Sequence, residues 1–245
     1  MYILALDGSG LVAGVSVLTE DKILAEYTVN YKKTHSQTLL PMLDEVMSML
    51  EMDVADVDYI AVTNGPGSFT GLRICASTAK GLGLALDKPL VGVPTVDALA
   101  YNYEGSEKII CPLMDARRSQ VYTGIYTFEK EKSGNGEELG YKFKVLVPQE
   151  AVAIEEILEK VNSYGREVVF LGDGVSVNRK YIEELVKVPY TIAPPQHNVQ
   201  SAAAVGRCAL RMIEEGQVCS AMELAPDYLR LSQAERERLE KAGQC

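Results

Sequence analysis

The sequence has few of the residues from which metal centres and disulfide frameworks are built. It holds two histidines, His35 and His197, and five scattered cysteines with no Cys-x-x-Cys pair. A catalytic metal needs several convergent ligands, and Leu39 stands where a His-x-x-x-His pair would need its second histidine. We therefore expect no bound metal. An odd number of scattered cysteines is typical of a reducing compartment, so we expect a cytoplasmic protein.

Basic residues and long apolar runs are also scarce. Lys and Arg number 24 against 34 Asp and Glu, which gives a net charge of −10. Direct binding to a phosphate backbone needs a surplus of cations, so we expect any nucleic acid to be reached only through a basic partner. The N-terminus meets Asp7 after six residues, and charged residues with a proline interrupt the apolar segment 81–93. Neither a signal peptide nor a membrane anchor is expected.

The first half of the chain has the pattern of an α/β lobe. Apolar segments at residues 2–7, 12–19 and 22–30, separated by turn residues, predict an antiparallel meander of three strands. The elements predicted next are a helix at 36–50, a strand at 58–63, a helix from loop 65–71 to Leu86, a strand at 90–93 and a short helix from an N-cap at Thr95 to Tyr101.

The second half opens as the first does, with an apolar strand that ends in aspartate (109–115) and then an alternating strand (121–128). A charged hairpin tip is predicted at 129–140, helices at 148–162, 175–186 and 199–215, and a strand at 167–171 that leads into Gly172-Asp173-Gly174. We predict an N-terminal lobe at 1–105, a C-terminal lobe at 106–222 and a charged tail at 223–245.

Two glycine-containing turns are candidates for anion or nucleotide contact. Backbone amides of a strand-to-helix loop, and those of the hairpin after the first strand, can bind an anion. The same residues can also serve only as a helix cap and tight turns, and this alternative stays open. The candidate residues are Asp7, Ser9, Gly65, Gly67, Ser68 and Thr70.

Three motifs, in order, resemble those of the TsaB family, formerly called YeaZ. They are Ala5-Leu6-Asp7, then His35-Ser36 with Leu39-Leu40-Pro41, then the most specific segment, Gly65-Pro66-Gly67-Ser68-Phe69-Thr70-Gly71-Leu72-Arg73. Pro226-Asp227-Tyr228-Leu229-Arg230 and the later Ala234-Glu235 are similar to that family's C-terminal signature. The order of the aspartates and of the Gly-x-Gly segment also resembles the sugar-kinase, actin and Hsp70 fold, which implies two lobes, each with a mixed sheet flanked by helices.

The resemblance implies a noncatalytic, activating subunit of a bacterial tRNA-modifying complex. In that family the partners are the catalytic subunit TsaD and the ATPase TsaE. Together they transfer threonylcarbamoyl from threonylcarbamoyl-AMP to N6 of adenosine 37 in tRNAs that read codons starting with A. ATP and a metal ion then belong to the partner subunits. Asp7-Gly8-Ser9 departs from the Asp-Thr-Ser or Asp-Thr-Ala of many members, which puts a nucleotide contact there in doubt.

The resemblance also implies that the two N-lobe helices bind TsaD, or a second copy of the chain when it is alone. The first helix carries more apolar residues than one stripe, and the second is rich in small residues. Packing within the subunit would explain the same composition. The candidate contacts are Leu39, Met42, Leu43, Val46 and Met49 on the first helix and Ala76, Ala79 and Gly83 on the second.

Two other functions use the same residues differently. A small-metabolite kinase of the same fold would use Asp7 for phosphate or Mg²⁺, but no second carboxylate stands at a diagnostic spacing to act as its base. A glycoprotein endopeptidase would need a Ser-His-Asp or zinc set that two separated histidines do not provide.

Overall fold

The computed structural model describes residues 1–31, 34–132 and 138–229, and these form two five-stranded sheets. The first sheet contains β1 (Ile3–Asp7), β2 (Ala13–Leu18), β3 (Ile23–Val29), β4 (Tyr59–Gly65) and β5 (Leu90–Pro94). The second contains β6 (Ile109–Asp115), β7 (Gln120–Lys132), β8 (Glu138–Ala153), β9 (Val168–Leu171) and β10 (Tyr190–Ile192).

Both sheets have the same strand order and the same strand directions. The first runs β3-β2-β1-β4-β5 and the second β8-β7-β6-β9-β10. In each, the first strand pairs antiparallel with the second and parallel with the fourth, as Leu6 does with Val15 and Val62. The weak repeat in the sequence is therefore a repeat of topology, and the predicted pair of mixed-sheet lobes is confirmed.

Helices lie on both outer faces and between the sheets. They are α1 (His35–Met49), α2 (Phe69–Leu86), α3 (Thr95–Ala100), α4 (Ile154–Ser163), α5 (Gly174–Val177), α6 (Arg179–Leu185) and α7 (Ala202–Glu214). Short 3-10 turns occupy Val54–Asp56, Tyr101–Tyr103 and Pro195–His197. Among the described residues, no helix combines the length and apolarity needed to cross a membrane.

Three hydrophobic clusters hold these layers together. One joins the first sheet to α1 and α2, and another packs the second sheet against α4 and α6. The third fills the middle of the molecule, where α3 and α7 lie between the sheets. There Gly206 of α7 is so close to Leu18 that a Cβ on this glycine would approach Leu18 Cδ2 to 2.1 Å. A helix late in the sequence thus completes the core of the first sheet.

The structure corrects several predicted elements. The helix predicted at 148–162 begins only at Ile154, because residues 148–153 continue β8. The predicted helix 175–186 is broken into α5 and α6 at Asn178. Pro94, not Thr95, is the N-cap of α3. The predicted hairpin tip is mostly strand, since β7 reaches Lys132 and β8 starts at Glu138; residues 133–137 lie outside the described residues.

Candidate functional site

The turn after β1 is built around the Asp7 carboxylate, which is 2% exposed. Asp7 Oδ1 accepts hydrogen bonds from the Ser9 backbone N–H at 2.8 Å, from Ser9 Oγ at 2.7 Å and from Thr63 Oγ1 at 3.1 Å. These bonds tie the β1–β2 turn to the end of β4. The carboxylate is therefore engaged in hydrogen bonds inside the protein.

The glycine loop between β4 and α2 lies directly against this turn. Ser68 N–H donates to the Ser9 carbonyl at 2.6 Å, and a Cβ on Gly67 would approach that carbonyl oxygen to 2.2 Å. Ser68 Oγ accepts from Gly71 N–H at 3.3 Å and caps α2. Four of the six candidates for anion contact, Asp7, Ser9, Gly67 and Ser68, therefore lie together. In the structure they form a tight turn and a helix cap, which is the alternative role that the sequence left open.

The other two anion candidates lie apart from that network. Gly65 adopts φ of +125° and passes the carbonyl of Asp227, so close that no side chain fits. Thr70 is exposed in the first turn of α2 and lines the groove between α1 and α2. An anion contact at these residues stays a prediction.

Burial raises the pKa of Asp7, although hydrogen bonds from Ser9 and Thr63 and the nearby His35 oppose the shift. A carboxyl with a raised folded-state pKa stabilises the fold most at low pH, and this contribution is lost as pH rises from the ordinary aspartate range through the folded-state pKa. Asp7→Asn keeps an acceptor oxygen but removes the titration. We expect the stability of the wild type relative to Asp7→Asn to fall over the pH range that begins at the ordinary aspartate pKa and extends upward. Urea unfolding across that range measures it, and a constant difference would contradict the expectation.

The second lobe repeats the arrangement in a looser form. Asp115 ends β6 as Asp7 ends β1, and its backbone N–H donates to Asp173 Oδ1 at 3.1 Å. Gly172 N–H donates to Asn198 Oδ1 at 2.9 Å. Burial raises the pKa of Asp173, and the charge of Asp115 adds to the shift. The predicted Gly-x-Gly segment is therefore engaged in turns that join β9 to α5.

Each of the two histidines makes a contact of its own, and the two lie in different lobes. His35 Nε2 lies 2.9 Å from the Gly10 carbonyl, which requires Nε2 to be the protonated donor, and His197 packs on Tyr103 with ring centroids 5.7 Å apart. No group of three or more His, Cys, Asp or Glu side chains with metal-binding geometry occurs in the described part of the chain. A catalytic metal of the kind that the resemblance assigns to the partner does not fit these residues.

The structure buries most of the predicted partner-binding residues inside the subunit. Met42 is 3% exposed. Because α1 packs both on the first sheet and on α2, the buried face of α1 is wider than a single row of apolar side chains. Met49, by contrast, is 75% exposed. The predicted contacts that are buried in the first-lobe core are Leu39, Met42, Leu43, Val46, Ala76, Ala79 and Gly83.

Different residues of the same two helices face outward. On α2, Ser77, Gly81 and Ala85 follow one another at helical spacing along the exposed side, and a Cβ on Gly81 would meet no atom within 4 Å. Leu40 of α1 is 54% exposed and lines a groove of about 540 Å³ between the helices. Helical glycine is disfavoured by about 1 kcal/mol relative to alanine, so an exposed stripe of small residues is suited to close approach by another helix.

A C-terminal strap, residues 219–229, returns to the first lobe. Its first residue, Cys219, pairs with Leu90 through two backbone hydrogen bonds, and Asp227 N–H donates to the Asn64 carbonyl at 2.6 Å. Lys80 Nζ of α2 donates to a strap carbonyl at 2.9 Å. The resemblance signature Pro226–Leu229 is therefore held against the glycine loop and α2, whereas Arg230 and Ala234-Glu235 lie outside the described residues.

Sequence reasoning missed one cluster at the end of this strap. Phe69, Arg73 and Tyr228 contact one another where the groove begins, although the tyrosine is 155 residues from the arginine. The spacing of Phe69 and Arg73, four residues apart on one helix, is a signal that indicates their contact. No local pattern indicates that Tyr228 joins them.

A family model described as TsaD, tRNA N6-adenosine threonylcarbamoyltransferase, matches residues 22–238. The tRNA threonylcarbamoyladenosine biosynthesis protein TsaB of Bacillus subtilis is 35% identical over 243 residues, which cover 98% of this chain and 99% of the relative. The chain belongs to the TsaB family. TsaB of Haemophilus influenzae is 26% identical and matches 94% of both chains.

The solved structure described as YeaZ from Pseudomonas aeruginosa is similar along nearly the whole chain. It is 28% identical, with a TM-score of 0.69, and the match covers 93% of this chain and 99% of that one. The sequence resemblance to TsaB and the two-lobed fold that it implied are confirmed.

Proposed function

We propose that this TsaB-family chain acts in tRNA threonylcarbamoyladenosine biosynthesis as a noncatalytic subunit that activates a TsaD-type transferase. The identity of 35% along 98% of the chain with a TsaB protein carries this proposal. TsaD and TsaE are the proposed partners, and tRNA is reached through them because a charge of −10 repels a phosphate backbone.

The geometry of the first lobe supports the noncatalytic role. Asp7, the carboxylate that a kinase of this fold would use for phosphate or Mg²⁺, is buried and accepts three internal hydrogen bonds. His35 is bonded to a backbone carbonyl. The chain then binds neither ATP nor metal by itself, and both belong to the partner subunits.

The proposed docking surface is the outward side of α1 and α2. Ser77 and Gly81 allow a partner helix to come close, and Leu40 and Met49 are exposed apolar side chains on α1. A second copy of the chain uses the same surface when the transferase subunit is absent, so the two partners compete.

Reconstitution with purified components tests the proposal. The chain, the TsaD-type and TsaE-type subunits of the same organism, tRNA, ATP and threonylcarbamoyl-AMP are combined, and modified adenosine is measured by mass spectrometry. We expect modification to require the chain, whereas the chain alone modifies no tRNA and carries no stoichiometric Fe or Zn in elemental analysis. Full modification without the chain, or turnover by the chain alone, would refute the proposed role.

A further inference from the structure

The chain crosses between the two sheets twice, and the two crossing segments meet in the middle of the molecule. The first crossing runs from β5 through α3 to β6, and the second runs from β10 to α7, which packs on the first sheet. Helices α3 and α7 contact each other there. Two connections side by side form a joint about which the lobes of a protein can turn.

A buried carboxylate links both helices of this joint to the second sheet. Asp97 of α3 is 9% exposed, and its Oδ1 accepts a hydrogen bond from Tyr126 Oη at 2.8 Å. Tyr126 lies on β7 and is fully buried. A guanidinium nitrogen of Arg211 on α7 lies 4.0 Å from Asp97 Oδ2. One side chain thus contacts the second sheet and α7 at the same time.

The two partners of Asp97 are themselves held in position. The Tyr126 ring stacks on Phe143 of β8, with centroids 5.2 Å apart. It also lies so close to Gly124 that a Cβ on this glycine would approach Tyr126 Oη to 2.4 Å. The guanidinium carbon of Arg211 lies over the same Phe143 ring, 5.2 Å from its centroid. The glycine therefore leaves the space in which the tyrosine hydroxyl reaches Asp97.

This contact is directional, unlike the apolar packing around it. Burial raises the pKa of Asp97, whereas the hydrogen bond from Tyr126 and the charge of Arg211 lower it. Breaking the contact would leave a buried carboxyl group without its donor, which is unfavourable. Apolar neighbours such as Leu99 and Phe128 hold the sheets together, but hydrophobic attraction has no preferred direction. A hydrogen bond does have one, so it restricts the relative orientation of the groups it joins.

We propose that Asp97, Tyr126 and Arg211 form a lock that fixes the angle between the two lobes, so that the subunit keeps one shape before and after a partner binds. A subunit that is already rigid loses little conformational freedom on binding, which favours a stable complex. The lock does not depend on which partner binds or on which surface that partner uses. The proposed function and the lock can therefore fail separately.

Distances between spin labels on the two lobes of the full-length chain, measured by double electron–electron resonance, test the lock. The labels are attached to the exposed positions Ala55→Cys in the first lobe and Glu159→Cys on α4, in a chain that carries Cys219→Ser and Cys245→Ser. We expect one narrow distance distribution, unchanged when the TsaD-type subunit is added. Tyr126→Phe should broaden it and speed amide hydrogen exchange in α3 about 10-fold or more, because Asp97 loses its donor.

Two further variants alter the same contact and one serves as a matched control. Gly124→Ala should broaden the distribution as Tyr126→Phe does, because its methyl group displaces the tyrosine hydroxyl. Asp97→Asn keeps an acceptor oxygen but loses the charge that faces Arg211, so its effect should be smaller. The control, Thr123→Val, removes a buried β7 hydroxyl that donates to a carbonyl of β6 at 2.7 Å, within the second sheet. It should lower the melting temperature and leave the distance distribution narrow.

The outcomes separate a lock from a contact that only stabilises the core. If Tyr126→Phe and Gly124→Ala lower the melting temperature but keep a narrow distribution, or if Thr123→Val broadens it equally, the lock is refuted. A broad distribution in the unmodified contact that narrows when the TsaD-type subunit is added would also refute it. If Tyr126→Phe fails to fold, Gly124→Ala and Asp97→Asn decide. If the TsaD-type subunit does not bind, the proposed function fails, and the distributions of the chain alone still test the lock.

Discussion

Gly71→Ala is expected to lower the free energy of unfolding by about 3 kcal/mol or more, through a clash between α2 and the turn after β1. A Cβ on Gly71 would lie 2.0 Å from the Gly8 carbonyl oxygen and 2.9 Å from His35 Cδ2. The oxygen belongs to the backbone of the turn that Asp7 and Thr63 hold in place, so it has little freedom to move. The alanine therefore either displaces the start of α2 or breaks the hydrogen bonds of the turn.

Gly81→Ala is the matched control for this prediction, because it makes the same change ten residues further along α2. No atom lies within 4 Å of the added methyl group, and alanine is the better helix former. We expect a gain of about 1 kcal/mol. Both variants are compared with the wild type by urea unfolding at one protein concentration. Equal effects of the two alanines would show that the contact between α2 and the turn is much looser than described.

The duplicated fold was predictable because each lobe opens with strong local signals. The alternating and apolar strands around Asp7 and Asp115, the loop 65–71 and the helix after it are patterns of fewer than twenty residues. The strand conformation of residues 148–153, the end of β8, could not be predicted from such local patterns. Pro148 followed by Gln149 and Glu150 is typical of a helix start. In the structure, however, Pro148 lies at a register shift of β8, an edge strand, where its missing N–H leaves no carbonyl of the neighbouring strand without a hydrogen bond.

The candidate site was predicted less well than the fold, because helical periodicity shows which residues are apolar and not what covers them. Met42 and Met49 extend the apolar surface of α1 in the same way in the sequence, yet the subunit's own core covers only Met42. The small residues of α2 differ in burial in the same way: Ala76 and Ala79 are buried in the first lobe, whereas Gly81 is exposed. Only the packing of α1 and α2 on the first sheet separates the two sets.

The contacts between the C-terminal strap and the first lobe could not be predicted from the sequence. The cluster of Arg73 and Tyr228 depends on the strap crossing from β5 to the start of α2, which no local pattern encodes. The resemblance had marked both segments as family signatures without relating them. Their contact gives a physical reason for two motifs whose contacting residues, Arg73 and Tyr228, are 155 positions apart in the sequence.

Gly81→Arg is expected to leave the subunit folded and to abolish its association with the TsaD-type subunit. The residue is exposed on the outward face of α2 with open space around it, so the fold can accept a long side chain, and arginine is a better helix former than glycine. In a close helix pair, the same side chain would either hold the helices apart or lose its hydration without a partner. We expect an unchanged or slightly higher melting temperature and binding weaker by about 100-fold or more in calorimetry.

Val177→Arg separates this effect from a general response to added charge. Val177 lies on α5 of the second lobe and is 64% exposed, so the substitution introduces the same side chain far from α1 and α2. It should bind the partner as the wild type does. Sedimentation of the chain alone extends the test to self-association, which Gly81→Arg should also remove if one surface serves both partners. Normal binding by Gly81→Arg would mean that the partner does not approach α2, whereas loss of only one association would mean that the two partners use different surfaces.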